Sequence, residues 1–160
     1  MCDTPGFEDT NGPEVDISNG IGIKKAINQC KSVRPVVLIS GKSIGDSGGP
    51  LKELAHIIVG MIKDCIASLN YIFTKFEAHE KSGMIALLEQ IRKTLTLEDK
   101  LDTSFVKFFT DLCHKSKQKL LMLNPLTDIP GTLLNDLISS SAIYHPDEYF
   151  KKTIFEKSTK

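Results

Sequence analysis

Four short stretches of this 160-residue chain carry side chains whose types and spacing could do chemistry: Asp3-Thr4-Pro5-Gly6, Gly41-Lys42-Ser43, Gly45-Asp46-Ser47-Gly48-Gly49-Pro50 and Thr74-Lys75-Phe76-Glu77. The second sets a lysine and a serine after a glycine, the ending of a loop that cradles phosphate with backbone amides and an ammonium group. The third offers a serine hydroxyl as a nucleophile. The first and the fourth each carry a carboxylate, the one close to a glycine and the other close to a lysine.

Elements able to position these groups follow from the apolar pattern. Val36-Val37-Leu38-Ile39, after Arg34-Pro35, is a continuous apolar run of the kind buried on both faces of a parallel sheet. Asn70 to Phe73 and Leu120 to Leu123 read the same way. Between them, Leu51, Leu54, Ala55, Ile58 and Ile62 fall on one helical face, and Pro50 suits a first turn. Met84, Leu87, Leu88, Ile91 and Leu95 make a second stripe, and Phe105, Phe108, Phe109 and Leu112 a third. Leu133, Leu134, Leu137 and Ile138 predict a shorter helix after Pro130-Gly131, and Glu14 to Cys30 a further helix. Strands alternating with helices predict an α/β fold with a mainly parallel sheet of about three strands. Ligands of such sheets sit at the carboxyl ends of the strands, so the loops after Ile39, Phe73 and Leu123 are where chemistry is expected.

Two of the four stretches then lose their appeal. Gly45 to Pro50 matches the string around the nucleophile of trypsin-like proteases, but those enzymes place histidine and aspartate before the serine on antiparallel barrels. His56, His79, His114 and His145 all follow Ser47. The string reads instead as a glycine-rich loop leading into the helix near Pro50. A phosphate loop ending in Gly41-Lys42-Ser43 needs a glycine where Val36 stands, inside the strand. No helix start is expected directly after it, because Gly45, Gly48 and Gly49 intervene.

Thr74-Lys75-Phe76-Glu77 follows a strand-like segment and comes about seventy residues after Asp3-Thr4-Pro5-Gly6. In this order the two motifs resemble the second-switch motif and the base-recognition box of P-loop GTPases. The resemblance implies a truncated three-layer P-loop NTPase-like fold in which Asp3 holds Mg²⁺ through water and the Gly6 amide senses the γ-phosphate of GTP. It further implies that Thr74, Lys75 and Glu77 contact guanine, the lysine stem on the ring and the carboxylate on its two adjacent donors, with Asn124 in a further base-contacting loop. Glu77 replaces the family's aspartate, and Phe7 stands where many relatives carry a water-orienting glutamine.

In that family a central strand bearing the P-loop lies between the strand before the Asp3 motif and the strand of Val36 to Ile39. These 160 residues hold no such P-loop. The expectation is therefore a partial guanine-nucleotide domain with weak or lost nucleotide binding and no useful hydrolysis. Val36 to Ile39 is then an exposed apolar edge, suited to a protein partner or to self-association. The alternative expectation is a non-catalytic α/β protein-interaction module using that edge or its apolar helix faces.

Bulk composition narrows the setting. Twenty basic and twenty acidic residues cancel, which gives no global field toward nucleic acid. The expected division is a partial domain over 1–145 and a basic tail over 146–160. Four scattered cysteines fit reduced thiols, and no leader pattern opens the chain, so a cytoplasmic location is expected. The longest apolar run, Ile57 to Ile62, stops at Lys63, short of the ~20 residues of a membrane span.

Overall fold

In the computed structural model, which describes residues 13–44, 48–62, 64–76, 81–124 and 126–150, the apolar runs become strands and the stripes become helices. In chain order the elements are α1 (Pro13–Asn28), β1 (Ser32–Val33), β2 (Val36–Ser40), α2 (Gly41–Ile44), α3 (Gly49–Met61) and a 3-10 turn (Ile66–Ser68). They continue with β3 (Asn70–Thr74), α4 (Lys81–Lys93), α5 (Leu97–Leu101), α6 (Thr103–Gln118), β4 (Met122–Leu123), α7 (Gly131–Ser139), β5 (Ile143–Tyr144) and α8 (Pro146–Tyr149).

Strands β2, β3 and β4 form a parallel sheet in that order, with Val36 to Ser40 in register with Asn70 to Thr74 and Thr74 beside Leu123. Because the order never reverses, right-handed crossovers deliver every intervening helix to one face of the sheet. That face is built from Val37, Ile39, Tyr71 and Phe73, which join α3, α4 and α6 in one core. Phe105, Phe108, Phe109 and Leu112, spaced at i, i+3, i+4 and i+7, are fully buried on α6. Tyr71 meets Phe108 edge to face at 5.7 Å, and Phe108 meets Phe109 at 5.4 Å.

Local signals fix the helix ends. The Asp102 carboxylate accepts from the amides of Ser104 (2.9 Å) and Phe105 (3.2 Å), two donors that the first turn of α6 would otherwise leave unpaired. Thr96 and Asp99 form a capping box at the start of α5. Gly48, just ahead of α3, has φ 68°, and a Cβ there would meet the Ile91 side chain at 2.7 Å. Only glycine suits that combination of left-handed backbone and close approach. Between helices, the Glu89 carboxylate of α4 takes Arg92 at 3.0 Å and Lys117 of α6 at 2.7 Å.

The opposite face of β2 departs from expectation. Val36 and Leu38 are 38% and 60% exposed, so β2 is buried on one face rather than on both. The reason is position: β2 is the edge strand of the sheet among the described residues, while central β3 buries Tyr71, Ile72 and Phe73 and so is covered on both faces as expected. The described architecture is thus mixed α/β, and on central β3 both faces are buried, with Tyr71 and Phe73 on one and Ile72 on the other. The run of Leu120 to Leu123 contributes only Met122 and Leu123 to the sheet. On α7 the predicted stripe is present, yet none of its residues is buried, and Ile138 stays exposed. A short antiparallel ribbon of β1 with β5, together with α1 packed on α8, brings the two ends of the described chain to one place. Pro146 and Phe150 are buried.

Candidate functional site

Parallel strands emit their loops at one end, and here that end gathers Gly41 after β2, Thr74 to Phe76 at and after β3, and Asn124 after β4. Thr74 pairs in register with Leu123, so Lys75 and Asn124 leave neighbouring strands at the same level, ~5 Å apart in the sheet direction. Thr74 is half-buried. Lys75 is exposed, with no ion-pair partner among the described residues, and turns at φ 59°, a left-handed conformation that L side chains adopt rarely.

Phe76 explains what holds the turn. Its ring stands edge-on to Phe73 at 6.1 Å, and it covers Gly41 so closely that a Cβ there would lie 2.6 Å from the ring. The glycine of Gly41-Lys42-Ser43 is therefore a socket for an aromatic ring. A helical turn, α2, does begin directly at Gly41, against the expectation of none. The turn spans only Gly41–Ile44, and Ile44 is fully buried.

Asn124 serves its own loop. Its backbone amide donates to Asp128 Oδ2 at 2.7 Å, and its side-chain oxygen accepts from the Leu126 amide at 3.1 Å. What it can offer a ligand is its side-chain Nδ2. Asp3, Gly6 and Glu77 lie outside the described residues, as does Phe7. No group of three or more His, Cys, Asp or Glu side chains that could hold a metal ion is gathered among the described residues.

A cavity of about 210 Å³ lies away from these loops, between the start of β3 and the end of α6, lined by Asn70, Tyr71, Lys115, Ser116 and Lys119 among others. Ser116 Oγ is buried there without a protein hydrogen-bond partner. The polar groups beside it are structural. The Tyr71 hydroxyl donates to Asp111 Oδ2 at 3.0 Å, and Lys115 Nζ, 2.9 Å from the same oxygen, also donates to the carbonyls of Ala67 and Leu69 at 2.7 Å each. Burial, and then the neighbouring Asp111 carboxylate, holds the Tyr71 phenol well above its ordinary range. Burial likewise pushes the Cys113 thiol up to about 11, which leaves it a poor nucleophile at neutral pH.

Sequence reasoning missed Gly41 and Phe76 as partners, because nothing in a linear pattern says that two residues 35 positions apart touch. Of the protease-like string, Gly45, Asp46 and Ser47 lie outside the described residues, while Gly48 admits Ile91; His56 lies stacked on Phe105 at 4.1 Å. No helix of the described residues is long and apolar enough to cross a membrane. Compared with known proteins, the chain matches no family model, no curated protein and no solved structure.

Proposed function

We propose that the chain is a partial guanine-nucleotide-binding domain of the P-loop GTPase type, in which the strand-end loops retain a base subsite and no useful hydrolysis remains. One observation carries this reading: Thr74 and Lys75 leave β3 through a left-handed turn beside Asn124, at the carboxyl ends of adjacent parallel strands. Thr74, Lys75 and Glu77 contact the base, and the Lys75 stem offers an apolar surface to a planar ring. No phosphate cradle of the Gly-x-x-x-x-Gly-Lys-Ser/Thr type is present in the sequence, so the phosphates lose their main amide contacts and affinity rests chiefly on the base. A Kd near 1 mM, about 4 kcal/mol, is the expected scale. Titrating the folded chain with GTP and with ATP, and following the amide resonances of Thr74, Lys75 and Asn124, tests this. Saturable shifts with GTP but not ATP are expected, and equal responses to both nucleotides would sink it.

The second reading, a non-catalytic interaction module, rests on the exposure of Val36 and Leu38 on the edge strand. An extended segment added along β2 would pair its outward backbone groups and set its own side chains beside Val36 and Leu38. Hydrogen exchange decides here: full protection of Val36 to Ile39 in a demonstrated monomer rules out an open edge.

A further inference from the structure

We infer that Gly41 and Phe76 form a latch that sets the conformation of Lys75, and that through it a residue on the β2 loop positions the base subsite on the β3 loop. The inference rests on the proposed base subsite for its functional consequence, but its structural half stands on distances alone.

Three ring atoms of Phe76 lie 2.6, 2.7 and 2.8 Å from where a Cβ on Gly41 would be. Separations under about 3 Å are repulsive for carbon, so any other residue at 41 must displace one of the two partners. Gly41 follows β2 directly and opens α2, whose Ile44 is fully buried, which leaves its backbone little freedom. Phe76 is half-buried on a loop, held by Phe73 on one side and Gly41 on the other. The ring is the partner that yields. Lys75 sits between the end of β3 and that ring, at φ 59°. A left-handed non-glycine residue persists only where its surroundings over-determine it, and Phe76 seated on Gly41 is the contact that does so. Releasing the ring lets Lys75 relax to an ordinary backbone conformation and swings its side chain away from the strand end.

Phe76 thus acts as a positioning residue in the variable place of the Thr74-Lys75-Phe76-Glu77 box, and Gly41 as its seat. Neither touches the ligand. Their effect on binding is indirect.

The test compares Gly41→Ala, Phe76→Ala and the double variant in the full chain. Gly41→Ala is expected to shift the backbone resonances of Lys75 and Thr74 while leaving those of Phe105 to Leu112 in place, and to weaken GTP binding roughly tenfold. Phe76→Ala should do the same. The double variant should resemble Phe76→Ala alone, because an alanine at 41 has nothing left to strike once the ring is gone. Additive effects in the double variant, or an unmoved Lys75 amide in Gly41→Ala, would overturn the latch. If the native chain shows no guanine preference, the base subsite fails while the resonance comparison still decides the latch. A variant that loses the α6 resonances as well assigns Gly41 to overall stability and overturns the proposal.

Discussion

The two faces of edge strand β2 are made of similar residues and meet different fates, whereas central β3 is buried on both. On one, Val37 and Ile39 of β2 lie under α3, α4 and α6; on the other, Val36 and Leu38 of the same strand stand 38% and 60% exposed. Alternation along a strand would bury both sets if both faces were covered. The difference lies in connectivity. A sheet that grows in one direction through right-handed crossovers receives all of its connecting helices on one side. Cover for the second face has to come from segments outside the crossovers, and it reaches Ile72 on β3, 3% exposed, but not Leu38 beside it on the edge.

The strongest way to break this comparison is to truncate one apolar side chain on each face. Phe108 is fully buried against Tyr71 and Phe109, so Phe108→Ala is expected to cost about 3–5 kcal/mol. Leu38→Ala should stay within about 0.5 kcal/mol. Urea unfolding with unchanged slope measures both. Similar losses at the two positions would mean that Leu38 is covered in solution.

A middle-sized effect belongs to the polar girdle that ties β3 to α6. Removing the hydroxyl with Tyr71→Phe deletes one hydrogen bond but leaves Asp111 paired with Lys115, so about 1–2 kcal/mol is expected. The phenol's folded value is raised, so its contribution is complete below the ordinary tyrosine value of 10.0 and is lost as pH rises above it. The native chain should therefore lose stability in alkali more steeply than Tyr71→Phe. Parallel alkaline profiles would show that the buried phenol is not what couples this face to pH.

How much of this could be read in advance depends on the range of the signal. Continuous apolar runs identified β2 and β3, and 3.6-residue stripes identified α3, α4 and α6, because these patterns are written within one element. The stripe of Leu133, Leu134, Leu137 and Ile138 also predicted α7 correctly as a helix, yet periodicity describes an apolar face and not what it meets. The β1–β5 ribbon joins residues 32–33 to 143–144, two residues a side, too short to leave a pattern. Thr96-Leu97-Glu98-Asp99 did carry a capping-box signal for α5 that the apolar stripes alone do not reveal. At the candidate site, Thr74 and Lys75 were placed at a strand end by the run that precedes them. Gly41 was legible only as a glycine, because its reason for being one is the Phe76 ring.

The smallest expected effect lies on the covered face again, at the Glu89 bridge between α4 and α6. Hydrogen bonds from Lys117 and then Arg92 hold its carboxyl below the ordinary value of 4.5. A depressed carboxylate contributes stability that is present above that ordinary value and disappears as pH falls through the lower, folded one. Acid titration of the native chain and of Glu89→Gln should therefore differ below pH 4.5 and run parallel above it. Salt should shrink the difference, since the carboxylate and both cations are within reach of solvent and such pairs are screened. An acid profile indifferent to Glu89→Gln would place the pH sensitivity of the helical layer elsewhere. The α4–α6 contact would then be held by Leu88, Ile91 and Leu112, through apolar burial alone.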